Sequence, residues 1–215
     1  SLELVKEVLG EKYYKVIKKN KLYHRAEQYF ARGNKYRLDV RNPVQFSISL
    51  IKTELIERYA IAYFKKKYNR DLVFNKTEVE QGQDLIIVGK NNSITNETDL
   101  KIKGSDIGIE IEYKTKKDCL EKGYVWQRNK KLPNLIERSK TKETYIVLFI
   151  LETRQMKIIE ITPDMEKDLH KNKEEMYGKP GYNLNISNAK TLDLDSMENK
   201  LLDFNVILVS NHWKG

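Results

Sequence analysis

The sequence predicts a mixed α/β (α+β) fold, in which a central mixed β-sheet is flanked by helices and preceded by a helical N-terminal region. Apolar residues recur at helical spacing over about residues 47–68, and short apolar runs typical of strands follow from Leu72. A second helical stretch after Lys117 separates two groups of these runs. Helices that alternate with groups of strands are typical of a mixed α/β domain.

The first predicted elements are helical. Residues 1–40 are basic and rich in tyrosine, and their apolar spacing predicts helix. Asn42-Pro43 predicts a break, because the residue before a proline is pushed out of the helical region. Ser47 or Ser49 is expected to cap a helix that ends near Tyr68. We therefore expect residues 1–45 to form a basic helical region, within the same domain as the α/β part at 46–215.

The remaining elements are mainly strands, predicted where short apolar runs replace helical periodicity. A helical stretch is expected from Lys117 to about Pro133, a short helix at 163–170 and a turn at 178–181. The predicted strands are residues 72–74, 85–88, 100–103, 107–116, 145–151, 156–161 and 206–209.

Composition limits the class of protein. The 215 residues include 40 Lys plus Arg against 31 Asp plus Glu, and a net charge of +9 favours a polyanionic partner. The longest apolar run, residues 145–151, is far shorter than the roughly 20 residues that span a bilayer. Cys119 is the only cysteine, which excludes an internal disulfide framework. We expect a soluble, cytoplasmic protein with no membrane partner.

The segment 98–114 is the most informative part of the sequence. It is predicted to form an antiparallel hairpin, with Ser105-Asp106 as a two-residue turn. In that register Asp99 faces Glu112, with Cβ atoms about 4.5–5.5 Å apart. Lys114 lies two residues beyond Glu112 and points to the same side. The hairpin therefore brings two carboxylates and one lysine together.

Such a hairpin predicts a metal site. Two carboxylates at this separation repel unless a cation lies between them, and Mg²⁺ is usually bound by one or two carboxylates and waters. Mn²⁺ would bind the same oxygen ligands. A lysine beside the metal can orient or deprotonate an attacking water, while the metal neutralises charge on a phosphodiester. An amphipathic hairpin with a solvated polar face would show the same pattern.

An acidic residue on one strand, followed on the next by Glu112-Tyr113-Lys114, resembles the Asp…Glu-x-Lys signature of the PD-(D/E)xK nuclease superfamily. That superfamily includes type II restriction endonucleases and archaeal-type Holliday-junction resolvases. The resemblance covers about residues 47–160 and implies a restriction-endonuclease-like core of a helix, a strand meander, a helix and a strand. It implies that Asp99 and Glu112 ligate the metal and that Lys114 acts on the water. Thr98 stands where the family often has proline.

Other acidic residues compete for places in this site. Asp84 is a rival to Asp99 as the first metal ligand, and Glu110 could replace Glu112, although no lysine lies two residues after it. Family members often carry a further glutamate on the helix before the sheet. By this resemblance Glu57 or Glu54 would complete the site. The alternative for either residue is a position at the boundary of the core, with its carboxylate in water.

The segment 124–131 mixes aromatic and basic side chains directly after the proposed site. Cations in such a segment suit phosphate contacts, and an amide side chain can bind a base edge. An amphipathic helix with Trp126 in the core would show the same pattern. The candidate nucleic-acid-binding residues are Gln127, Arg128, Lys130 and Lys131.

These patterns together predict a Mg²⁺-dependent endonuclease that cleaves double-stranded DNA at specific sequences, as a type II restriction-like homodimer. A structure-specific nuclease such as a Holliday-junction resolvase is the nearest alternative, followed by an RNA-cleaving member of the superfamily. A non-catalytic nucleic-acid-binding protein is the alternative from another class. Convergence of Asp99, Glu112 and Lys114 would favour the enzyme, because a binding protein has no need of facing carboxylates.

Overall fold

The computed structural model describes residues 6, 7, 11, 14, 15, 18, 43–74, 98–150, 152–169, 173–176 and 179–194. The chain divides into two compact units. The described helix up to Tyr63 belongs to the first unit, whereas the second consists of Phe64–Asn75 and Asn91–Ser196. The boundary expected near residue 45 stays a prediction. The predicted strands at 85–88 and 206–209 and most of the N-terminal helical region lie outside the described residues, as does Asp84.

Helix α1 spans Pro43–Tyr68 and ends where the sequence predicts. It begins at Pro43 rather than after Ser47 or Ser49, because the fixed φ and missing N–H of proline suit the first position of a helix. Three lysines in its last turn interact favourably with the negative end of the helix dipole. The almost fully buried residues of α1 in the first unit recur at helical spacing and include Ile56, Tyr59, Ala60 and Tyr63.

A six-stranded mixed sheet forms the centre of the second unit. Its strands are β1 (Leu72–Phe74), β2 (Leu100–Ile102), β3 (Gly108–Lys114), β5 (Thr144–Ile150), β6 (Gln155–Glu160) and β9 (Lys190–Asp193). They follow one another across the sheet in that order. β3 and β5 are parallel, and every other neighbouring pair is antiparallel. The predicted fold class, a mixed sheet with helices, is thus confirmed.

The chain between β3 and β5 differs from its predicted single helical stretch. It forms helix α2 (Lys116–Cys119), strand β4 (Tyr124–Arg128) and helix α3 (Lys131–Ser139). The prediction was wrong because Tyr124–Arg128 alternates buried and less buried side chains, which is the period of a strand. Pro133 lies in the first turn of α3, where a missing backbone N–H breaks no helical hydrogen bond.

A second sheet has the strand order β4-β8-β7, with β7 at Lys173–Met176 and β8 at Lys179–Asn185. Most of the predicted turn at 178–181 therefore lies in β8. Gly181 is required there, because an added Cβ would collide with the Trp126 ring. The expected short helix after Ile161 is confirmed as a 3-10 helix, Pro163–Asp168.

The core of the second unit joins α3 to both sheets. Leu132, Leu135 and Ile136 of α3 are buried in one cluster with side chains from β4, β5 and β8. The helix packs beside the sheet so that its first residue reaches the carboxylates of β3 and its last turn reaches the start of β3. This packing positions the candidate site.

Candidate active site

The β2–β3 hairpin differs from its predicted register by two residues. Leu100 pairs with Ile109 rather than with Ile111. A loop of residues 103–106 replaces the predicted two-residue turn. Gly104 adopts a φ of 80° within this loop, a left-handed conformation that glycine adopts readily.

The shift places Asp99 beside Glu110 instead of directly opposite Glu112. The backbone amide of Asp99 donates to Glu110 Oε2 at 3.2 Å, and the Ile111 amide donates to Asp99 Oδ2 at 3.0 Å. One oxygen of Asp99 is therefore oriented by the backbone of β3. Glu110, ranked below Glu112 in the sequence because no lysine follows it, belongs to the same group of side chains.

A lysine from α3 links the two glutamates of β3. Lys131 Nζ lies 2.6 Å from Glu110 Oε1 and 2.6 Å from Glu112 Oε1. The side chains of the two glutamates are 10% and 11% exposed, and that of Lys131 is 25% exposed. Since residues two apart on a strand point to the same face, Lys131 removes the repulsion between neighbouring carboxylates.

Glu112 also contacts two residues that the sequence singled out. Lys114 Nζ lies 3.2 Å from Glu112 Oε2, and Gln127 Nε2 donates to the same oxygen at 3.0 Å. Gln127 is 2% exposed, so the structure gives its amide a carboxylate partner where we expected a base edge. We call these side chains together the carboxylate cluster, which consists of Asp99, Glu110, Glu112, Lys114, Gln127 and Lys131.

Electrostatics hold Glu112 ionised. Burial by itself would raise its pKa, but the charges of Lys131 and Lys114 and the hydrogen bonds from Lys131 and Gln127 lower the pKa to about 2. Burial would lower the pKa of Lys131, but Glu110, Glu112 and Asp99 raise that pKa well above its ordinary value. The cluster thus brings three carboxylates and two lysines together.

The other predicted site residues lie at different places. Arg128 ends β4 and Lys130 directly precedes α3, and both side chains are exposed. In the sequence they are adjacent to Gln127 and Lys131 of the carboxylate cluster. Glu57 is 4% exposed on α1, within the first unit. Its place in the site stays a prediction, as does that of Glu54. The structure thus brings Glu112 together with Lys114, Gln127 and Lys131, and places Asp99 beside Glu110.

The carboxylate cluster has the donor chemistry of a Mg²⁺ site. Two carboxylate oxygens each lie 2.6 Å from one point, and hard oxygen ligands of this kind suit Mg²⁺ and Mn²⁺. That point is taken by the ammonium group of Lys131. Among the described residues, no group of three or more acidic, histidine or cysteine side chains is arranged to hold a metal ion as it stands.

No family model, curated protein or solved structure significantly matches the chain. Within the ranges that the structure describes, no helix is both long enough and apolar enough to cross a membrane.

Proposed function

We propose that the protein is a metal-dependent endonuclease that hydrolyses phosphodiester bonds in double-stranded DNA. The observation that supports this most is the meeting of Glu110 and Glu112 at Lys131 Nζ, with Asp99 beside Glu110 and Lys114 3.2 Å from Glu112. Buried carboxylates near DNA phosphates are unfavourable unless a cation intervenes.

The order of elements around the cluster supports the same proposal. Helix α1 precedes the strands β1, β2 and β3, and the helices α2 and α3 precede β5, which lies parallel to β3. This is the order of helix, strand meander, helix and strand that the resemblance to PD-(D/E)xK nucleases implies. The acidic residues lie on the second and third strands of the meander, or directly beside them, as in that signature.

Five of the six side chains of the carboxylate cluster have a proposed role in catalysis. Glu112, with Glu110 or Asp99, holds Mg²⁺ or Mn²⁺, which when bound neutralises charge on the phosphodiester and lowers the pKa of water. Gln127 keeps Glu112 Oε2 in place through its 3.0 Å hydrogen bond. Lys114 is 26% exposed, so its ammonium can reach a water molecule on the solvent side of Glu112.

The DNA is held by cations near the cluster. Arg128 and Lys130 are exposed, and both precede Lys131 within three residues. We assign them to backbone phosphates beside the cleaved bond, because phosphate contacts position a duplex. Cleavage of both strands requires two copies of one site, which a two-fold homodimer supplies. Sequence specificity of the type II restriction kind is part of this proposal.

One observation favours a second candidate, a non-catalytic nucleic-acid-binding protein. Lys131 already neutralises Glu110 and Glu112 without a metal ion, so the cluster is also compatible with a purely structural ion-pair network. In that case Arg128, Lys130 and the net charge of +9 would serve DNA binding alone.

A cleavage assay separates the two candidates. The wild-type protein is incubated with phage-sized duplex DNA and about 10 mM Mg²⁺, a concentration high enough to fill a weak carboxylate site. We expect discrete fragments that disappear with EDTA. Glu112→Gln should reduce cleavage at least about 100-fold while gel-shift binding persists, because it removes a negative charge that holds the metal ion.

Glu121→Gln is the matched control, because Glu121 is exposed and lies outside the carboxylate cluster. It should cleave at the wild-type rate. Full activity of Glu112→Gln, or cleavage in EDTA, would contradict the proposal. A smear of products would contradict sequence specificity and indicate non-specific cleavage. Cleavage of four-way junctions alone would favour a junction resolvase. Binding without any cleavage, weakening steeply with salt, would favour the second candidate.

A further inference from the structure

Lys131 occupies the position that a divalent cation would need. Its Nζ lies 2.6 Å from one oxygen of Glu110 and 2.6 Å from one oxygen of Glu112. Mg²⁺ binds carboxylate oxygen at about 2.0–2.1 Å, so an ion held by either of these oxygens would come within about 5 Å of the ammonium. Two cations this close in a largely buried site repel strongly. Lys131 and a divalent cation therefore exclude each other at these oxygens.

The position of Lys131 at the start of α3 allows its ammonium to move away from Glu110 and Glu112. It is the first residue of α3, where the positive end of the helix dipole disfavours a cation, and the first turn of α3 contains no acidic residue. Its side chain is 25% exposed, more than twice the exposure of either glutamate. A lysine also has a long and flexible stem. Once another cation neutralises the glutamates, the ammonium has a path to solvent.

Exposed cations at Arg128 and Lys130 come directly before Lys131 in the chain. A DNA phosphate that meets these residues offers the displaced ammonium a new anionic partner. We infer that Lys131 is a positioning residue that exchanges Glu110 and Glu112 for a backbone phosphate when a divalent cation enters the cluster. This inference rests on the proposed function and deepens it, because it makes metal binding and DNA binding reinforce each other.

Lysine reactivity in the wild-type protein tests the exchange directly. The protein is treated with an amine-acylating reagent in EDTA and in Ca²⁺, and modification of each lysine is measured by mass spectrometry. Ca²⁺ prefers carboxylate oxygens, as Mg²⁺ does. We expect the modification rate of Lys131 to rise several-fold with Ca²⁺ and that of the exposed Lys117 to stay constant. Constant reactivity of Lys131 while calorimetry shows bound Ca²⁺ would overturn the inference.

Calorimetric titration with Ca²⁺ gives a second readout. Lys131→Met removes the competing cation, so Ca²⁺ should bind at least about tenfold more tightly than to the wild-type protein, a modest coupling between two sites. Lys117→Met loses the same charge on an exposed residue and should bind Ca²⁺ as the wild-type protein does. Equal affinities of Lys131→Met and the wild-type protein would overturn the inference.

DNA binding adds a third comparison, and the outcomes separate the two proposals. Gel shifts in Ca²⁺ and in EDTA should show that Ca²⁺ strengthens DNA binding in the wild-type protein and in Lys117→Met, and much less in Lys131→Met. Equal strengthening in all three proteins would overturn the inference while the proposed function stands. Absence of Ca²⁺ and Mg²⁺ binding from the wild-type protein, with and without DNA, would overturn both.

Discussion

Helix α3 carries one partly buried and one fully buried cation, and their surroundings differ. Lys131 is its first residue and Arg138 lies in its last turn, so both face the sheet across two turns of helix. Lys131 contacts two carboxylates. Arg138 donates to neutral acceptors, each at 2.8 Å, which are Asp106 O, Glu143 O and Thr144 Oγ1.

The difference separates a fixed cation from an exchangeable one. Arg138 is 6% exposed, and a cation in the last turn of a helix is stabilised by the dipole. The space around it is filled, because a Cβ added to Gly108 would lie 2.6 Å from Arg138 Cζ and 2.5 Å from Thr98 Oγ1. Lys131 is more exposed than Arg138, and the dipole of α3 disfavours a positive charge at its position. The carboxylates that Lys131 neutralises could also be neutralised by another cation. Arg138 therefore holds the β2–β3 hairpin in place through fixed hydrogen bonds, whereas Lys131 neutralises Glu110 and Glu112 through an exchangeable contact.

The largest effect on stability is expected for Arg138→Met. The substitution removes three hydrogen bonds from a charged donor and leaves their buried acceptors without it. We expect the free energy of unfolding to fall by about 4 kcal/mol. Urea denaturation measures the change, and Arg70→Met, on an exposed residue, is the control. Adding Ca²⁺ should not restore the lost free energy of unfolding. A loss under about 1 kcal/mol would contradict the role of Arg138 as a fixed contact.

Glu112→Gln should lower stability by about 3 kcal/mol at pH 7, because the folded pKa of about 2 lies below the ordinary value of 4.5. A lowered pKa gives stability that is present above the ordinary value and lost as the pH falls through the folded value. The difference between wild type and variant should therefore shrink between pH 4.5 and about 2. Urea denaturation across this range measures it, and a difference that stays constant would contradict the ionised state of Glu112.

The third prediction concerns the exchangeable cation. Lys131→Met leaves Glu110 and Glu112 facing each other, and we expect it to lower the free energy of unfolding by about 2 kcal/mol in EDTA. Ca²⁺ at about 10 mM should restore most of this loss, since a ligand that binds the native state stabilises it. The contrast with Arg138→Met is the decisive part. A loss that Ca²⁺ leaves unchanged would make Lys131 a fixed contact like Arg138.

The smallest effect is expected for Lys117→Met. Lys117 is exposed on α2, and substitutions at such positions usually change stability by less than about 0.5 kcal/mol. The same denaturation experiments should find it equal to the wild-type protein in EDTA and in Ca²⁺. A Ca²⁺-dependent change in this variant would show that the ion acts outside the carboxylate cluster.

Local patterns predicted much of the fold. The strands near 72–74, 100–103, 107–116, 145–151 and 156–161 are confirmed, because each shows either a short apolar run or alternating apolar and polar residues. Strand β4 was missed because its mixture of aromatic and basic residues also fits an amphipathic helix, and β7, β8 and β9 have weak apolar patterns. The hairpin register was wrong because it depends on the left-handed conformation of Gly104, which a Gly-Ser-Asp sequence does not reveal.

The candidate site likewise contains residues that local sequence patterns place correctly and others that depend on tertiary packing. Glu112 and Lys114 could be placed together from the period of a strand alone, whereas the predicted register placed Asp99 opposite Glu112 rather than beside Glu110. The contacts of Lys131 and Gln127 depend on how α3 and β4 pack against β3, which is tertiary information. The sequence predicts that Lys131 binds phosphate, whereas in the structure it binds two carboxylates. Both agree if Lys131 exchanges the carboxylates for a phosphate when DNA binds.

A crystal soaked with Mn²⁺ provides the most direct measurement. Anomalous diffraction locates the ion, and the same map shows the position of Lys131. We expect a manganese peak between Glu110 Oε1 and Glu112 Oε1, with Lys131 Nζ moved away from both oxygens. At saturating Mn²⁺, the absence of a peak at the carboxylate cluster, with Lys131 still bridging the two glutamates, would contradict the account.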